Sequence, residues 1–162
     1  MAAVPADLLK TLLAECPVAS LAVLEQGSPA VSLVPFVVLW DPLRVFSLLS
    51  GLSSHTAALK ADSRCSLLIH AHPQPGDPQS FHAIPRVSMQ GTAAWIDRQT
   101  AEDLGVTAAY RDRFAIAEML LSLGDFQFVQ ITPQAATLIR GFGGAFRLSG
   151  PNLETAEQVT GR

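Results

Sequence analysis

The segment Ile84–Ile96 constrains this chain more than any other stretch. Arg86, Ser88, Gln90 and Thr92 alternate there with Val87, Met89, Gly91, Ala93 and Trp95. A period of two puts the first set on one face of a β-strand and the second on the other. A strand with one wet face belongs in an antiparallel sheet, because parallel strands are covered on both sides. Val18–Glu25 and Ala30–Leu39 read as a hairpin across Gln26-Gly27-Ser28-Pro29. Arg44–Leu49 follows a turn at Asp41-Pro42, and Arg64–His70 is a further strand. Asp125–Thr132 and Ala136–Phe142 add two more. Six to seven short strands joined mainly by tight turns predict a mainly β, α+β domain: a small antiparallel barrel with peripheral helices.

Three stretches read as helical. In 5–15, Leu8, Leu9, Leu12 and Leu13 share a face, Pro5 suits the first turn, and Cys16-Pro17 ends the helix. His55–Asp62 is a short helix. In 98–123, Ile116, Met119, Leu120 and Leu123 follow helical spacing, with Gly124 as a stop. Ala71–Phe81 carries three prolines and a glycine and reads as a surface loop. The tail from Ser149 is polar, so fraying is expected.

With 162 residues and no repeat or linker, 1–162 reads as a single domain. Hydrophobic residues make up 49% and charged residues 15%, against roughly 25% charged in an ordinary soluble domain. That excludes disorder. It also predicts that part of the surface is covered by a second copy, hence a homodimer. The net charge of −3 argues against a nucleic-acid partner. The longest apolar run, Leu33–Trp40, is too short to cross a membrane. Asp7 precedes Lys10, so the start does not read as a secretory signal. Cys16 and Cys65 stand far apart and read as small buried residues of a cytoplasmic protein.

The segment Ser50-Gly51-Leu52-Ser53-Ser54-His55-Thr56 crowds hydroxyls and a histidine onto a helix start. Free N–H groups and the positive end of the helix dipole favour phosphate there. A plain N-cap by Ser53 or Ser54 explains the same residues. Arg86, Ser88 and Gln90 form either a solvated strand face or a ligand-facing row with a forked cationic donor. One anion touching both the helix start and the strand face would favour the ligand reading. Pro35 cannot donate to a ladder, which marks an edge strand or leaves backbone groups free for a heteroaromatic ring. Gly141-Phe142-Gly143-Gly144-Ala145-Phe146 departs from a dinucleotide fingerprint and reads as a bulge or a close approach of chains. His70-Ala71-His72, with His82 or Asp77 nearby, has no ligand spacing typical of a metal site and reads as a pair of loop histidines.

Four segments in this order, Ser32-Leu33-Val34-Pro35-Phe36, Ser50–Thr56, Ala61-Asp62-Ser63-Arg64-Cys65-Ser66-Leu67 and Arg86-Val87-Ser88-Met89-Gln90-Gly91, resemble the FMN-binding split-barrel family around pyridoxamine 5′-phosphate oxidase. Gly124-Asp125-Phe126 and Arg140-Gly141-Phe142-Gly143-Gly144-Ala145 are similar to its haem-utilisation subgroup. The resemblance covers 8–147. It implies a homodimer with FMN at the subunit interface. Ser50–Thr56 would grip the phosphate, with Ser53 and His55 matching the family's serine and basic residue. The backbone of Val34, Pro35 and Phe36 would face the isoalloxazine, and Arg86 would approach the ring or phosphate. The oxidases of vitamin B6 carry a C-terminal arginine–histidine motif, and haem breakdown in the subgroup leans on a histidine-bearing extension. No histidine follows His82 in this sequence, so vitamin-B6 oxidation is not expected. The leading expectation is an FMN-dependent oxidoreductase of unknown substrate, with no catalytic acid or base assigned. The alternatives are a flavin- or haem-binding carrier without turnover and a structural barrel with an empty polar face.

Overall fold

Gln26 and Gly27 turn the chain with φ of 52° and 80°, the left-handed pair that suits the twist of a two-residue hairpin. They join β1 (Val18–Glu25) to β2 (Ser28–Pro35), with Glu25 opposite Ser28. Ser28 and Pro29, expected in the turn, therefore begin the strand. The computed structural model describes residues 5–73, 76, 80–141 and 143–160. Ahead of the hairpin stands α1 (Pro5–Glu15), whose Leu9, Leu12 and Leu13 are buried. After it come β3 (Val37–Leu39), β4 (Arg44–Ser50), α2 (Ser54–Ala61) and β5 (Arg64–His70). Then follow α3 (Ser80–Ala83), β6 (Arg86–Ile96), α4 (Arg98–Asp103), α5 (Val106–Arg113), α6 (Ala117–Ser122), β7 (Phe126–Gly141), β8 (Gly144–Ser149) and β9 (Thr155–Gln158).

The sheet runs β2-β1-β5-β6-β7-β4-β3, with β8 and β9 continuing from β7. Each pairing is antiparallel. The two ends of the path, β2 and β3, follow each other in the chain, so the sheet curls without closing: a mainly β, α+β split barrel. Nine strands lie among the described residues, rather than six or seven. Pro35 ends the edge strand β2, where its missing N–H interrupts no ladder.

The interior faces of β1, β5, β6 and β7 close around Leu21, Leu67, Ile69, Val87, Met89 and Leu138, with α1 as a lid. A second cluster joins α4, α5 and α6 to β3, β4 and β7 through Val106, Tyr110, Phe46 and Phe128. Tyr110 meets Phe114 and Phe128 at centroid distances of 4.6 and 5.5 Å. Burial pushes its hydroxyl pKa up to about 12.

Four expectations need correction. The two strands expected over 125–142 are one, β7, because Pro133 falls opposite Gly91 at a register shift and the ladder continues past it. The helix expected over 98–123 is three short ones, broken by Gly105 at φ 77° and by Phe114 in extended geometry. Ile116, Met119 and Leu123 do not form its buried face; they are 52%, 54% and 41% exposed. The tail from Ser149 does not fray at once. Leu153 is buried, and β9 pairs with β8. The expected bulge near Gly141 is present as a register shift between Ile139 and Gly141, whereas Phe142 and the loop positions 74, 75 and 77–79, Asp77 included, lie outside the described residues. Cys16 and Cys65 are free and buried, and burial pushes the Cys65 thiol up to about 11.

Candidate functional site

The start of α2 is built as a turn tied down from below. Gly51 donates its N–H to the Asp125 carbonyl at 2.7 Å. The Ser50 hydroxyl donates to the Asp125 carboxylate at 2.6 Å and accepts from the Leu52 N–H at 3.1 Å. Thr56 is buried and donates to the Ser50 carbonyl at 2.7 Å. Ser50 and Thr56 therefore hold the turn. Ser53 is the N-cap residue, in extended geometry, and its side chain makes no cap bond. A carboxylate hydrogen-bonded at this turn opposes the binding of a dianion beside it.

His55 does not present a cation. Its Nδ1 lies 2.9 Å from the Ser32 hydroxyl on β2, and its Nε2 is buried without a partner. Burial lowers its pKa below the ordinary 6.5, against an opposing pull from Glu25. The folded imidazole therefore stays neutral as the pH drops below 6.5, while the unfolded chain takes up a proton. Stability is complete above that value and declines as the pH falls through it towards the folded pKa. His55→Gln should flatten this part of a pH–denaturation series. An unchanged slope would assign the titration to another group.

The backbone near Pro35 is also engaged. Val34 is buried and paired with Ala19. The Pro35 carbonyl accepts from the Ser47 hydroxyl at 2.8 Å, and the Phe36 N–H donates to the Pro17 carbonyl at 3.2 Å. These groups are not free to meet a ring edge.

Arg86, Ser88 and Gln90 stand as expected on the outward face of β6, with Val87 and Met89 buried behind them. Arg86 is half-buried and donates from Nη1 to the Ile84 carbonyl at 3.0 Å. One chain does not bring Arg86 to the start of α2. The helix exit is anchored where the Ala93 N–H meets the Ser63 carbonyl. Arg86 lies at the other end of β6 and on its outward face, whereas His55 meets Ser32, which alternates with the exposed Val31 and Leu33 and so faces the barrel side of β2. Within one chain the helix start and the strand row therefore lie on opposite faces of the sheet.

What surrounds β6 instead is a broad outer face. His70 is the cross-strand neighbour of Arg86, Leu68 of Ser88 and Ser66 of Gln90. Leu68 in turn sits opposite Ser20, and Ser20 opposite Leu33. Val31, Leu33 and Leu68 are 69%, 67% and 38% exposed on this face. Two grooves flank Gln90. One, of about 380 Å³, is lined by Arg64, Ser66, Gln90 and Gln134 among others. The other, of about 240 Å³, is lined by Ser88, Gln90, Thr137 and Arg147 among others. Arg64 makes a 2.6 Å ion pair with Asp62, and hydrogen bonds from Arg64 hold the Asp62 carboxyl down to about 2. Sequence reasoning quoted Arg64 and Ser66 only within the family-like segment Ala61–Leu67, with no site role, and did not single out Gln134, Thr137 or Arg147. The alternation of Arg64, Ser66, Leu68 and His70 along one strand was the available signal.

An open antiparallel β-barrel with an apolar, cation-rimmed outer face beside a polar strand row is a split barrel. Residues 6–140 match the pyridoxamine 5′-phosphate oxidase family, and the chain belongs to it. Over 129 residues it is 27% identical to the haem oxygenase HutZ of Vibrio cholerae, covering 79% of this chain and 71% of that protein. It is 30% identical over 125 residues to the chloroplastic non-canonical haem oxygenase HOZ of Arabidopsis thaliana, covering 77% of this chain. This chain spans 36% of that relative's length. The solved structure of HutZ, described as a haem storage protein, superposes with a TM-score of 0.68 at 25% identity, over 91% of this chain and 96% of that one. The described residues include no helix long and apolar enough to cross a membrane.

Proposed function

We propose that this protein binds haem on the outer face of β1, β2, β5 and β6, as a homodimer whose second copy covers the ligand. Of the three readings made from sequence, this is the haem-binding form of the carrier alternative rather than the FMN-dependent oxidoreductase. The observation that carries it is the face itself. Val31, Leu33 and Leu68 expose apolar surface next to Arg86, His70 and Gln90. An exposed apolar patch on a charge-poor protein marks a binding surface. A tetrapyrrole needs what this face offers: an apolar floor, cations for its carboxylates and a ring nitrogen for its iron. The two relatives named as haem oxygenases support the same reading. A flavin phosphate is less well served. The start of α2 carries the Asp125 carboxylate, and its one histidine is neutral.

The test is a titration of the purified chain with ferric protoporphyrin IX and, separately, with FMN, each followed by size-exclusion light scattering. Haem should co-elute with a particle of twice the chain mass, and FMN should bind at least about tenfold less tightly, a difference of roughly 1.4 kcal/mol. Leu33→Lys should lower haem affinity and dimer stability together. Tight FMN binding without haem binding would return the protein to the flavin-dependent reading.

A further inference from the structure

We propose that His70 is the iron-ligating residue of this face, an inference that rests on the haem reading above. Four histidines occur in this sequence: His55, His70, His72 and His82. His55 is turned inward beneath α2, with Nδ1 at the Ser32 hydroxyl and Nε2 enclosed. A planar macrocycle cannot reach that nitrogen without displacing the helix. His72 is exposed in the segment after β5, outside any strand, and His82 is exposed on the four-residue α3. His70 alone stands in the sheet.

Its ring is prepared for a metal. Nδ1 lies 2.9 Å from the Ala71 carbonyl oxygen. A carbonyl oxygen only accepts, so Nδ1 carries a proton, and in the neutral imidazole Nε2 is then the nitrogen with the lone pair. A metal-ligating histidine is held in this way, its second nitrogen donating to a carbonyl that fixes tautomer and ring orientation. The backbone beneath is pinned as well. The His70 carbonyl accepts from the Cys16 thiol at 3.1 Å, and the Ala71 N–H donates to the Pro85 carbonyl at 2.9 Å. His70 is exposed on the same side of β5 as Leu68, directly opposite Arg86. An iron ligand, an apolar wall and a guanidinium thus share one sheet face, which is the donor set that haem requires.

The test uses the purified full chain loaded with ferric protoporphyrin IX. Resonance Raman of the reduced complex reads the iron–imidazole stretch, and a titration reads affinity. The parent chain should show the stretch. His70→Ala should lose it and bind the porphyrin roughly tenfold or more weakly, with added imidazole restoring the signature. His72→Ala and His82→Ala should keep it. Because His70 is exposed, far-UV circular dichroism of the variant should match the parent, and His70→Asn serves as a second substitution. A full histidine signature in both His70 variants, or its loss in His72→Ala or His82→Ala, would overturn the assignment of His70 and leave the haem reading standing. A parent chain that binds no porphyrin would overturn both.

Discussion

Gly91→Ala should leave little folded protein. A Cβ at this position would lie 2.4 Å from the Thr132 carbonyl oxygen, 3.0 Å from its carbon and 3.2 Å from the Pro133 Cα. All three are backbone atoms of β7, so no side chain can rotate aside to make room. The clash falls at the register shift between Gln90 and Gly91, in the middle of the β6–β7 ladder. Relief requires those two strands to part. We expect a loss of about 4–5 kcal/mol, at the extreme of what single substitutions do, against a total stability of roughly 5–15 kcal/mol for a domain. Soluble yield and the urea midpoint measure it. Gly124→Ala is the control: a Cβ there meets nothing within 4 Å, and its midpoint should stay within about 0.5 kcal/mol of the parent. A Gly91→Ala midpoint near that of the control would show that the ladder yields at the bulge.

Arg113→Ala should cost about 3 kcal/mol, an effect set by three hydrogen bonds with one charged donor group. Arg113 is the last residue of α5, and its guanidinium reaches across to the end of α1. It donates to the carbonyls of Leu13 at 3.2 Å, Ala14 at 3.0 Å and Cys16 at 2.6 Å. Those carbonyls belong to the final turn and its exit, where a helix leaves acceptors unpaired. No basic residue of α1 itself serves that turn. The guanidinium also lies 5.1 Å from the centroid of the buried Phe36 ring, so its removal uncovers apolar surface too. Thermal unfolding should shift by roughly 6–12 °C, at about 2–4 °C per kcal/mol for a chain of this size. Arg113→Lys should recover only part of the loss, because one ammonium cannot span three acceptors in a fixed fork. Full recovery by lysine would reduce the role of Arg113 to charge alone.

The parts legible in the sequence were those governed by local period. β5 runs over Arg64–His70 and α1 over 5–15 as the patterns require, and β6 presents Arg86, Ser88 and Gln90 outward. Pro35 at an edge, the buried free cysteines and the family itself were legible too. Where the period misled, a long-range partner had overridden it. Ile116, Met119 and Leu123 keep helical spacing, yet α6 buries Ala117 and Leu121 instead, because those two join the cluster of Val106, Tyr110, Phe46 and Phe128. Pro133 resembles a strand break, yet β7 passes through it because Gly91 on the neighbouring strand leaves room for the Thr132 carbonyl.

The candidate site divides in the same way. The amino-acid sequence by itself determined which residues are polar on an otherwise apolar strand, and hence that one face of this barrel is unlike a core. Only the tertiary structure decided which of them meet. It placed His70 beside Arg86 through the β5–β6 register and Leu33 within reach of Leu68 across β1. It turned His55 inward onto Ser32 and drew the Asp125 carboxylate to the turn before α2. The reason is that periodicity is a property of neighbours along the chain, whereas strand order and register depend on contacts between residues far apart in it.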